Sequence, residues 1–569
     1  MVIPMVMSGS WFFPSNKYKN YFLVFAIFVD MNRANYLRTF AILSALTVLL
    51  LSLPFLVPGC GVMALVGFLP LLAMERIASR EGVRRFWLWH YGTFLLWNAV
   101  TTWWVCNATV GGGIFAMTAN ALQMSLIFGL FRAAKKKIGE GTVSYIFLAA
   151  LWIAWERFYL VSAEISWPWL VLGNAFAGDI GLIQWYEYTG ALGGSLWVWG
   201  VNLSLFGLMI SVAEGRWRKL LPKARYAALG GTALLLFGPM ILSAVRWNTY
   251  RQTQDPLPVL VVQPNIDPYE KFKATLQDGY DVALCEAVEA HLPADCTDLL
   301  VVAPETFTWG MDVKRATEHP TQLLLAAMAA RHPEMAMNIL YGASTYERFD
   351  AKPSRLAERR GGSWVEQHNT ALITDASGRA DYYNKSKLVV GVEATPYPAV
   401  FVPVDDWLGG VMGRNVGQGK RTPLDVVTRE GRRIPVGCAI CYESVYGEFC
   451  TEYVRDAGAE LIAVITNDGW WGNTPGYRQH LGYSSLRAIE TRRDIVRCGN
   501  TGISALIDQR GRILSETPWW HSAVLTGEVN CNTAETFFVR NGDIVGRISV
   551  LVALLLLALW LVRCFVPRP

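Results

Sequence analysis

Charge is scarce in this chain. Only 17% of its 569 residues are Asp, Glu, Lys or Arg, against 52% hydrophobic residues and a mean hydropathy of +0.26. Soluble domains run closer to about 25% charged, so the composition excludes a chain that is soluble throughout. Other absences narrow the chemistry. No G-x-G-x-x-G or P-loop follows a strand, which leaves nucleotide binding without support. No G-x-S-x-G elbow is present, which weakens a serine-hydrolase reading. Cys438 and Cys441 form C-x-x-C, yet no second such pair and no His pair at ligand spacing accompanies them, so neither a metal nor a redox motif is supported. A net charge of +5 with no basic stripe among aromatics gives no footprint for nucleic acid.

The missing charge is unevenly distributed. Long apolar runs fill residues 37–246 and one more closes the chain, whereas 247–543 has the composition of a soluble domain. A membrane-crossing helix needs about 20 apolar residues. Eight candidates follow, at 38–57, 59–75, 86–105, 114–131, 143–163, 191–213, 226–246 and 546–566. Lys and Arg cluster in every second connection: Arg76 to Arg85, Arg132 to Lys137, and Arg216 to Arg225. The intervening loops at 58–59, 106–113 and 164–190 have none. Eight spans satisfy the positive-inside rule at each loop, with a cytoplasmic N-terminus and the 247–543 domain on the opposite side. Residues 1–30 fit poorly, since YFLVFAIFV is too short to span; a start at Met31 and an over-extended 1–30 are expected. Within the loop at 164–190, Trp167, Trp169, Trp185 and Tyr186 predict an aromatic belt or a lipid-facing floor. Glu156 and Arg157 at the end of span five each need a partner of their own.

The soluble region alternates strands (near 258–264, 298–304, 338–345, 369–375, 434–440, 461–467, 503–508 and 523–529) with helices (near 277–292, 320–331, 442–456 and 477–497). That pattern predicts an α/β or α+β sandwich. Three polar residues fall at strand ends: Glu305 after DLLVVAP, Lys385 after NTALITDASGRADYYN, and Cys441 after IPVGCAI. A thiol where a strand meets a helix start is placed for nucleophilic work, because unpaired N–H groups there favour thiolate. Taken singly, each has a blander reading: a packed cysteine, a solvated turn carboxylate, a surface ammonium.

The segments carry a resemblance. VVQPNI (261–266), VVAPET (301–306), YNKSKL (383–388), CAICYE (438–443), ITNDGWWG (465–472), RCGNTGISALIDQRG (497–511) and WERFYLVSAEISWPW (155–169) together resemble apolipoprotein N-acyltransferase, the membrane-embedded branch of the nitrilase, or carbon–nitrogen hydrolase, superfamily. The resemblance implies an eight-span helical bundle (31–246 and 544–569, the latter ending in a short cytoplasmic tail) plus an αββα nitrilase-like domain at 247–543 in the periplasm of a bacterial inner membrane. It implies that Cys441 takes an sn-1 acyl chain from a phospholipid, phosphatidylethanolamine being the expected donor. The chain then passes to the α-amine of a diacylglyceryl apolipoprotein. Glu305 would act as base and Lys385, rather than Lys387, as oxyanion donor, with Glu393, Tyr442, Glu443, Phe272, Trp470 and Trp471 in support. No metal or cofactor is implied, and a monomer is expected. One departure stands out: LVVGVE (388–393) replaces the family's L-V-P-F-G-E, which puts the local loop shape in question. A membrane-tethered amidase and a non-catalytic membrane scaffold are the competing readings. Cys285 and Cys296 could pair in an oxidising compartment.

Overall fold

The computed structural model describes residues 33–566 except Asp295, and the side chains of residues 33–35 and 274 are likewise outside the description. The proposed start at Met31 and the segment 1–30 lie outside the described residues. Helices α1 (Arg33–Leu56), α2 (Gly61–Arg80), α3 (Trp87–Thr102), α4 (Val110–Ile138), α5 (Thr142–Val161), α6 (Tyr186–Ala213) and α7 (Pro222–Thr249) precede the soluble region. Seven helices among the described residues are long and apolar enough to cross a bilayer: these except α3, plus the C-terminal Ile544–Phe565. The expected span at 86–105 is the exception. Its α-helical part has 16 residues, and a 3-10 segment, Trp103–Asn107, continues it. The rise of an α-helix, about 1.5 Å per residue, makes that part alone too short to span.

The ends of the bundle sort by charge. Arg76 pairs with both Glu140 and Glu214, and Lys135 with Glu75 at 2.8 Å, so the basic connections share one end. At the other end the loops without Lys or Arg meet the soluble region: Asn107 Nδ2 donates to the Trp471 carbonyl at 2.8 Å, and Gln479 Nε2 donates to the carbonyls of Phe55 (3.0 Å) and Thr101 (3.3 Å).

The soluble region is built on two sheets. One contains β1 (Pro256–Gln263), β2 (Asp298–Val302), β3 (Thr308–Asp312), β4 (Ala336–Phe349), β5 (Glu358–Arg360), β6 (Ser363–Thr374), β7 (Asp381–Asn384) and, later in the chain, β14 (Ala523–Asn530). Its order is β14-β1-β2-β4-β6-β5, with β3 on β4 and β7 on β6. The other contains β8 (Leu424–Val427), β9 (Arg433–Ile440), β10 (Leu461–Thr466), β11 (Ile495–Gly499), β12 (Ala505–Ile507) and β13 (Ile513–Glu516), in reverse order across the sheet. Both faces of the central strands are apolar because both are covered. On the larger sheet Val259, Val261, Leu300 and Val302 belong to the core shared with the second sheet. Leu260, Val262, Leu299 and Val301 pack instead with Leu284 and Val288 of α8 (Ala274–Glu289) and Leu325 and Met328 of α9 (Pro320–Ala330). Each such fully buried side chain is worth about 1.5–3 kcal/mol of transfer free energy. On the smaller sheet Cys438 is fully buried among Val436 and Ile440, while Gly437 lies under Tyr453 of α10 (Gly447–Arg455). Helix α11 (Pro475–Thr491) fills the space between this sheet and the bundle, and nearly every residue on it is buried.

All eight expected strands are present, and the sequence reading misses β3, β5, β7, β8, β11 and β13. Two helices differ from expectation. The one expected at 477–497 ends at Thr491, where Arg492 turns left-handed (φ 51°) and the chain enters β11. The one expected at 442–456 splits into a 3-10 turn, Cys441–Val445, and α10. The aromatic loop is also corrected: Trp169 is 1% exposed, Tyr186 is buried, and Trp167 and Trp169 stack at 5.2 Å, facing protein instead of lipid. Cys285 and Cys296 are both free thiols. The last helix of the bundle, α12 (Ile544–Phe565), starts on an Asp543 cap whose carboxylate accepts the Gly546 N–H.

Candidate active site

The first turn of the candidate site follows β2. Ala303 N–H still bonds the β4 carbonyl of Leu340 (2.8 Å), after which Pro304, Glu305 and Thr306 leave the sheet, Thr306 in the left-handed region (φ 46°). Gly342 on β4 makes room: a Cβ there would stand 2.5 Å from Thr306 N and 2.6 Å from Glu305 Cα. Only a glycine allows this close crossing. The turn delivers Glu305 into the interior, 6% exposed.

The second turn follows β7. Lys385 N–H bonds the Asn369 carbonyl of β6 at 2.7 Å, and its Nζ reaches Glu305 Oε1 (3.0 Å) and Glu393 Oε1 (2.9 Å). Burial alone would pull this ammonium down, but Glu305 and Glu393 outweigh it and hold Lys385 well above the usual lysine range. Lys387 goes elsewhere. Its Nζ donates to the Val161 carbonyl at 3.4 Å and lies over the Tyr446 ring, so the two lysines of YNKSKL have different surroundings. The altered LVVGVE loop keeps Glu393 in place: Glu393 N–H bonds the Val389 carbonyl, and Glu393 Oε2 accepts the Val389 N–H at 2.7 Å.

The third turn follows β9. Cys441 has φ 51°, a left-handed conformation that costs a non-glycine residue about 1–3 kcal/mol and persists where the surroundings enforce it. The enforcement is visible. Ser444 Oγ donates to the Cys441 carbonyl (2.8 Å), and His480 Nε2 lies 3.1 Å from the same oxygen. Glu443 is fully buried and accepts from Ile440 N (2.8 Å), Ser386 N (2.6 Å), Lys387 N (3.2 Å), Tyr383 Oη (2.8 Å) and Tyr453 Oη (3.0 Å). It therefore stitches the cysteine turn to the lysine turn. Tyr442 Oη donates to the Ser166 carbonyl of the bundle loop at 2.9 Å.

The thiol differs from expectation in one respect. The 3-10 turn at Cys441 is too short for a helix dipole to dominate. Burial pushes the Cys441 thiol far above its ordinary range, with Glu305 adding to the rise and Lys385 opposing it. Burial thus works against ionisation of this sulfur, which favours the presence of a base. Cys438 is likewise pushed up by burial and lies fully enclosed between the sheets.

Phe272 (46% exposed) sits on a loop after β1 whose Tyr269 ring meets Trp470 at 5.0 Å. Trp471 packs on Trp104 (4.8 Å), Trp169 (5.6 Å) and His480 (5.5 Å), which joins it to the bundle. Three participants were missed by sequence reasoning. Asn369 Nδ2 donates to both Glu305 Oε1 and Glu393 Oε1 at 2.8 Å. Lys271, 3% exposed, donates to the Glu305 carbonyl (3.1 Å) and to Thr306 Oγ1. His480 is held by Asp468 at 2.9 Å, and Asp468 by Arg497. Asp468 lay inside the quoted ITNDGWWG and Lys271 directly before Phe272, but nothing local marks either as buried. Of the intramembrane pair, Glu156 accepts from Trp152 Nε1 (3.1 Å) and Leu172 N (2.9 Å), and Arg157 pairs with Glu448 (2.7 Å) and Asp543 (2.8 Å). Among the described residues one group, Asp255, Glu460 and Cys531, has ligand atoms close enough for a metal ion. Arg432 already pairs with both of its carboxylates, at 2.7 and 2.6 Å.

A two-sheet α/β unit carrying Glu, Lys and Cys on adjacent turns, fixed to a helical bundle, defines a membrane-bound protein of the carbon–nitrogen hydrolase class. Residues 261–537 match the carbon-nitrogen hydrolase family, and residues 47–204 match the apolipoprotein N-acyltransferase N-terminal domain. The chain is 27% identical to the apolipoprotein N-acyltransferase of Chlorobaculum tepidum over 510 residues, covering 86% of this chain and 90% of the relative. It is 28% identical to that of Geobacter metallireducens, covering 88% and 92%, and 30% identical to that of Bordetella bronchiseptica, covering 70% and 71%. The chain belongs to the apolipoprotein N-acyltransferase family.

Proposed function

We propose that this protein N-acylates the terminal diacylglyceryl-cysteine of apolipoproteins in two steps through a thioester on Cys441. The observation that carries the reading is the single ammonium of Lys385 held between Glu305 and Glu393 beside a half-buried, left-handed cysteine. In the first step Glu305 takes the thiol proton and Cys441 attacks the sn-1 ester carbonyl of a phospholipid. The new oxyanion is met by Lys385 and by the Tyr442 N–H. The Cys441 carbonyl and the Tyr442 N–H belong to one trans peptide and point opposite ways. Pinning the carbonyl on Ser444 and His480 therefore fixes the direction of the N–H. Removing one such donor costs about 100–1,000-fold in rate. Collapse of the tetrahedral species releases lysophospholipid, which carries the proton from Glu305, and leaves the acyl-thioester. In the second step the acceptor's amine attacks the thioester, gives its proton to Glu305, and the thiolate leaves to be reprotonated.

The domain is assigned to the periplasmic side. Supporting this, the basic connections cluster at the far end of the bundle, as the positive-inside rule requires of the cytoplasmic end. Both substrates are lipid-anchored, which explains a reaction centre held at the level of the helix ends. Exposed Val400, Val404 and Trp407 on the helix Pro398–Trp407 lie on the segment that follows Glu393 and give this side an apolar border. The test is the purified protein mixed with phosphatidylethanolamine alone. Intact mass should rise by one acyl chain, mapped to Cys441, and discharge on adding a diacylglyceryl peptide. Absence of the adduct, or an unchanged adduct in Cys441→Ala, would refute the thioester.

A further inference from the structure

Among the described residues, the Lys271 ammonium at the proposed centre makes no ion pair with a carboxylate. Its Nζ is spent on the Glu305 carbonyl and the Thr306 hydroxyl, at the left-handed turn that delivers the base. It is enclosed, yet its chain neighbour Phe272 is 46% exposed and its own loop is clasped at the far side by the Tyr269–Trp470 contact. The loop is anchored at its root too: Ile266 N bonds Asn500 Oδ1 (3.0 Å) and Asn500 Nδ2 bonds the Ile266 carbonyl (2.7 Å). The charge balance asks for a second cation. Lys385 faces three buried or half-buried carboxylates, Glu305, Glu393 and Glu443, and the thiolate would add a fourth negative charge.

Resting on the thioester reading above, we propose that Lys271 is a second cationic positioning residue of this centre. It fixes the Glu305–Thr306 turn, ties the Phe272 loop to that turn, and supplies positive charge when Cys441 ionises. It touches the base's backbone and not the reacting atoms. Glu305 and Cys441 are the charged or titratable groups that bear on it. Lys273, two residues on, is by contrast solvent-facing and paired with Glu270 at 2.7 Å.

A structural lysine and a charge-supplying one behave oppositely. Burial pulls the Lys271 ammonium down to about 8, with Glu305 and Cys441 only partly opposing the fall. Between about 8 and the ordinary lysine range the unfolded chain binds the extra proton, so stability rises with pH there and the buried charge is a full cost below it. Removing the charge should therefore raise the melting temperature while slowing acylation. Above pH 8 the neutral amine still donates its hydrogen bonds, so loss of rate there reports charge and not tether.

The experiment is the acylation burst of the purified full chain with a p-nitrophenyl fatty ester in micelles, a donor with no titrating headgroup, followed from pH 6.5 to 9.5. Wild type should lose burst rate with a single proton loss near pH 8. Lys271→Met should be slower by about 10- to 100-fold at pH 7, less than the loss of a direct oxyanion donor, flat with pH, and at least as heat-stable as wild type. Lys271→Arg should keep activity without the alkaline fall. A Lys271→Met enzyme as fast as wild type, or one retaining the same alkaline limb, overturns the proposal. If the Met variant does not fold, a wild-type profile with no fall near pH 8 overturns it equally. Cys441→Ala separates the two claims: a burst surviving in that variant condemns the thioester reading, not the role of Lys271.

Discussion

Two clusters of buried charge flank the Cys441 turn, and they are finished to different degrees. On one side Asp468 accepts from Thr466 Oγ1 and Arg497 and meets His480, with all of these groups fully buried. On the other side Glu305 and Glu393 share the one ammonium of Lys385. Asn369 Oδ1 has no hydrogen-bond partner, and the Cys441 side is partly open. The first cluster is saturated and holds backbone in place. The second has idle capacity at the place where the proposed reaction brings a substrate's polar atoms.

The largest effect that tests this contrast is at the proposed base. Glu305→Gln should lower thioester formation by about 100- to 10,000-fold with little change in melting temperature, because Lys385 keeps Glu393. Lys385→Ala should match it in rate. Intact-mass time courses and thermal melts on the same samples check both. Full activity in either variant would end the assignment.

The saturated cluster should respond in the opposite manner. Arg497→Met leaves the Asp468 carboxylate buried without its cation, and breaking a buried pair this way costs about 3–5 kcal/mol. The expected outcome is a large fall in melting temperature. The pH sign follows from Asp468. Burial works against this carboxylate, but Arg497 and His480 hold it at about 2, below the unfolded value. Its stabilisation is complete above about pH 4 and is lost as pH falls towards 2. Wild type should therefore lose stability across that acid window, and Asp468→Asn should lose less of it. Equal acid sensitivity of the two would show that the cluster's electrostatics do not hold the turn.

How much of this was legible in the sequence follows the same division. The strand ends bearing Glu305, Lys385 and Cys441 stand out because apolar runs stop on a polar residue. The two sheets and the bundle are legible because both faces of the strands, and the spans, are apolar. Asn369, Lys271 and His480 were not legible. Each is an ordinary polar residue by its neighbours, and its role comes from partners 34 to 64 positions away in the chain. The aromatic loop at 164–190 misled for a related reason. Trp169 has the amphipathic ring of an interface residue, but its Nε1 is used on Gln479 (2.7 Å) and its faces on Trp104 and Tyr483. Span lengths misled where α3 passes into a 3-10 turn, a change that composition does not show.

A smaller effect probes the hinge between the clusters. His480 belongs to the saturated side, yet its ring lies on the carbonyl of the proposed nucleophile. His480→Ala should slow acylation by about 10- to 100-fold, below the loss of a direct oxyanion donor, because only the aim of the Tyr442 N–H relaxes. His480→Gln, whose amide can donate to the same oxygen, should recover part of the rate. Alkylation of Cys441 by chloroacetamide, which builds no oxyanion, should be nearly unchanged in both. Equal loss in alkylation and acylation would assign His480 to general folding.

The smallest effects are expected at the two residues that share a motif with the centre but not its surroundings. Lys387→Ala removes one long bond to Val161 and a ring contact, and should leave the acylation rate within about two- to three-fold of wild type, the scale of an exposed interaction. Cys438→Ala removes a sulfur from the packed space between the sheets, where a small cavity costs about 1 kcal/mol of stability and no chemistry. The rate should hold while the melting temperature falls slightly. Acylation lost at Lys387 and retained at Lys385 would move the ammonium to the wrong turn. Acylation lost at Cys438 as fully as at Cys441 would reopen the C-x-x-C pair as one chemical unit. Either result would mean that the contrast between the finished and unfinished clusters does not locate the reaction.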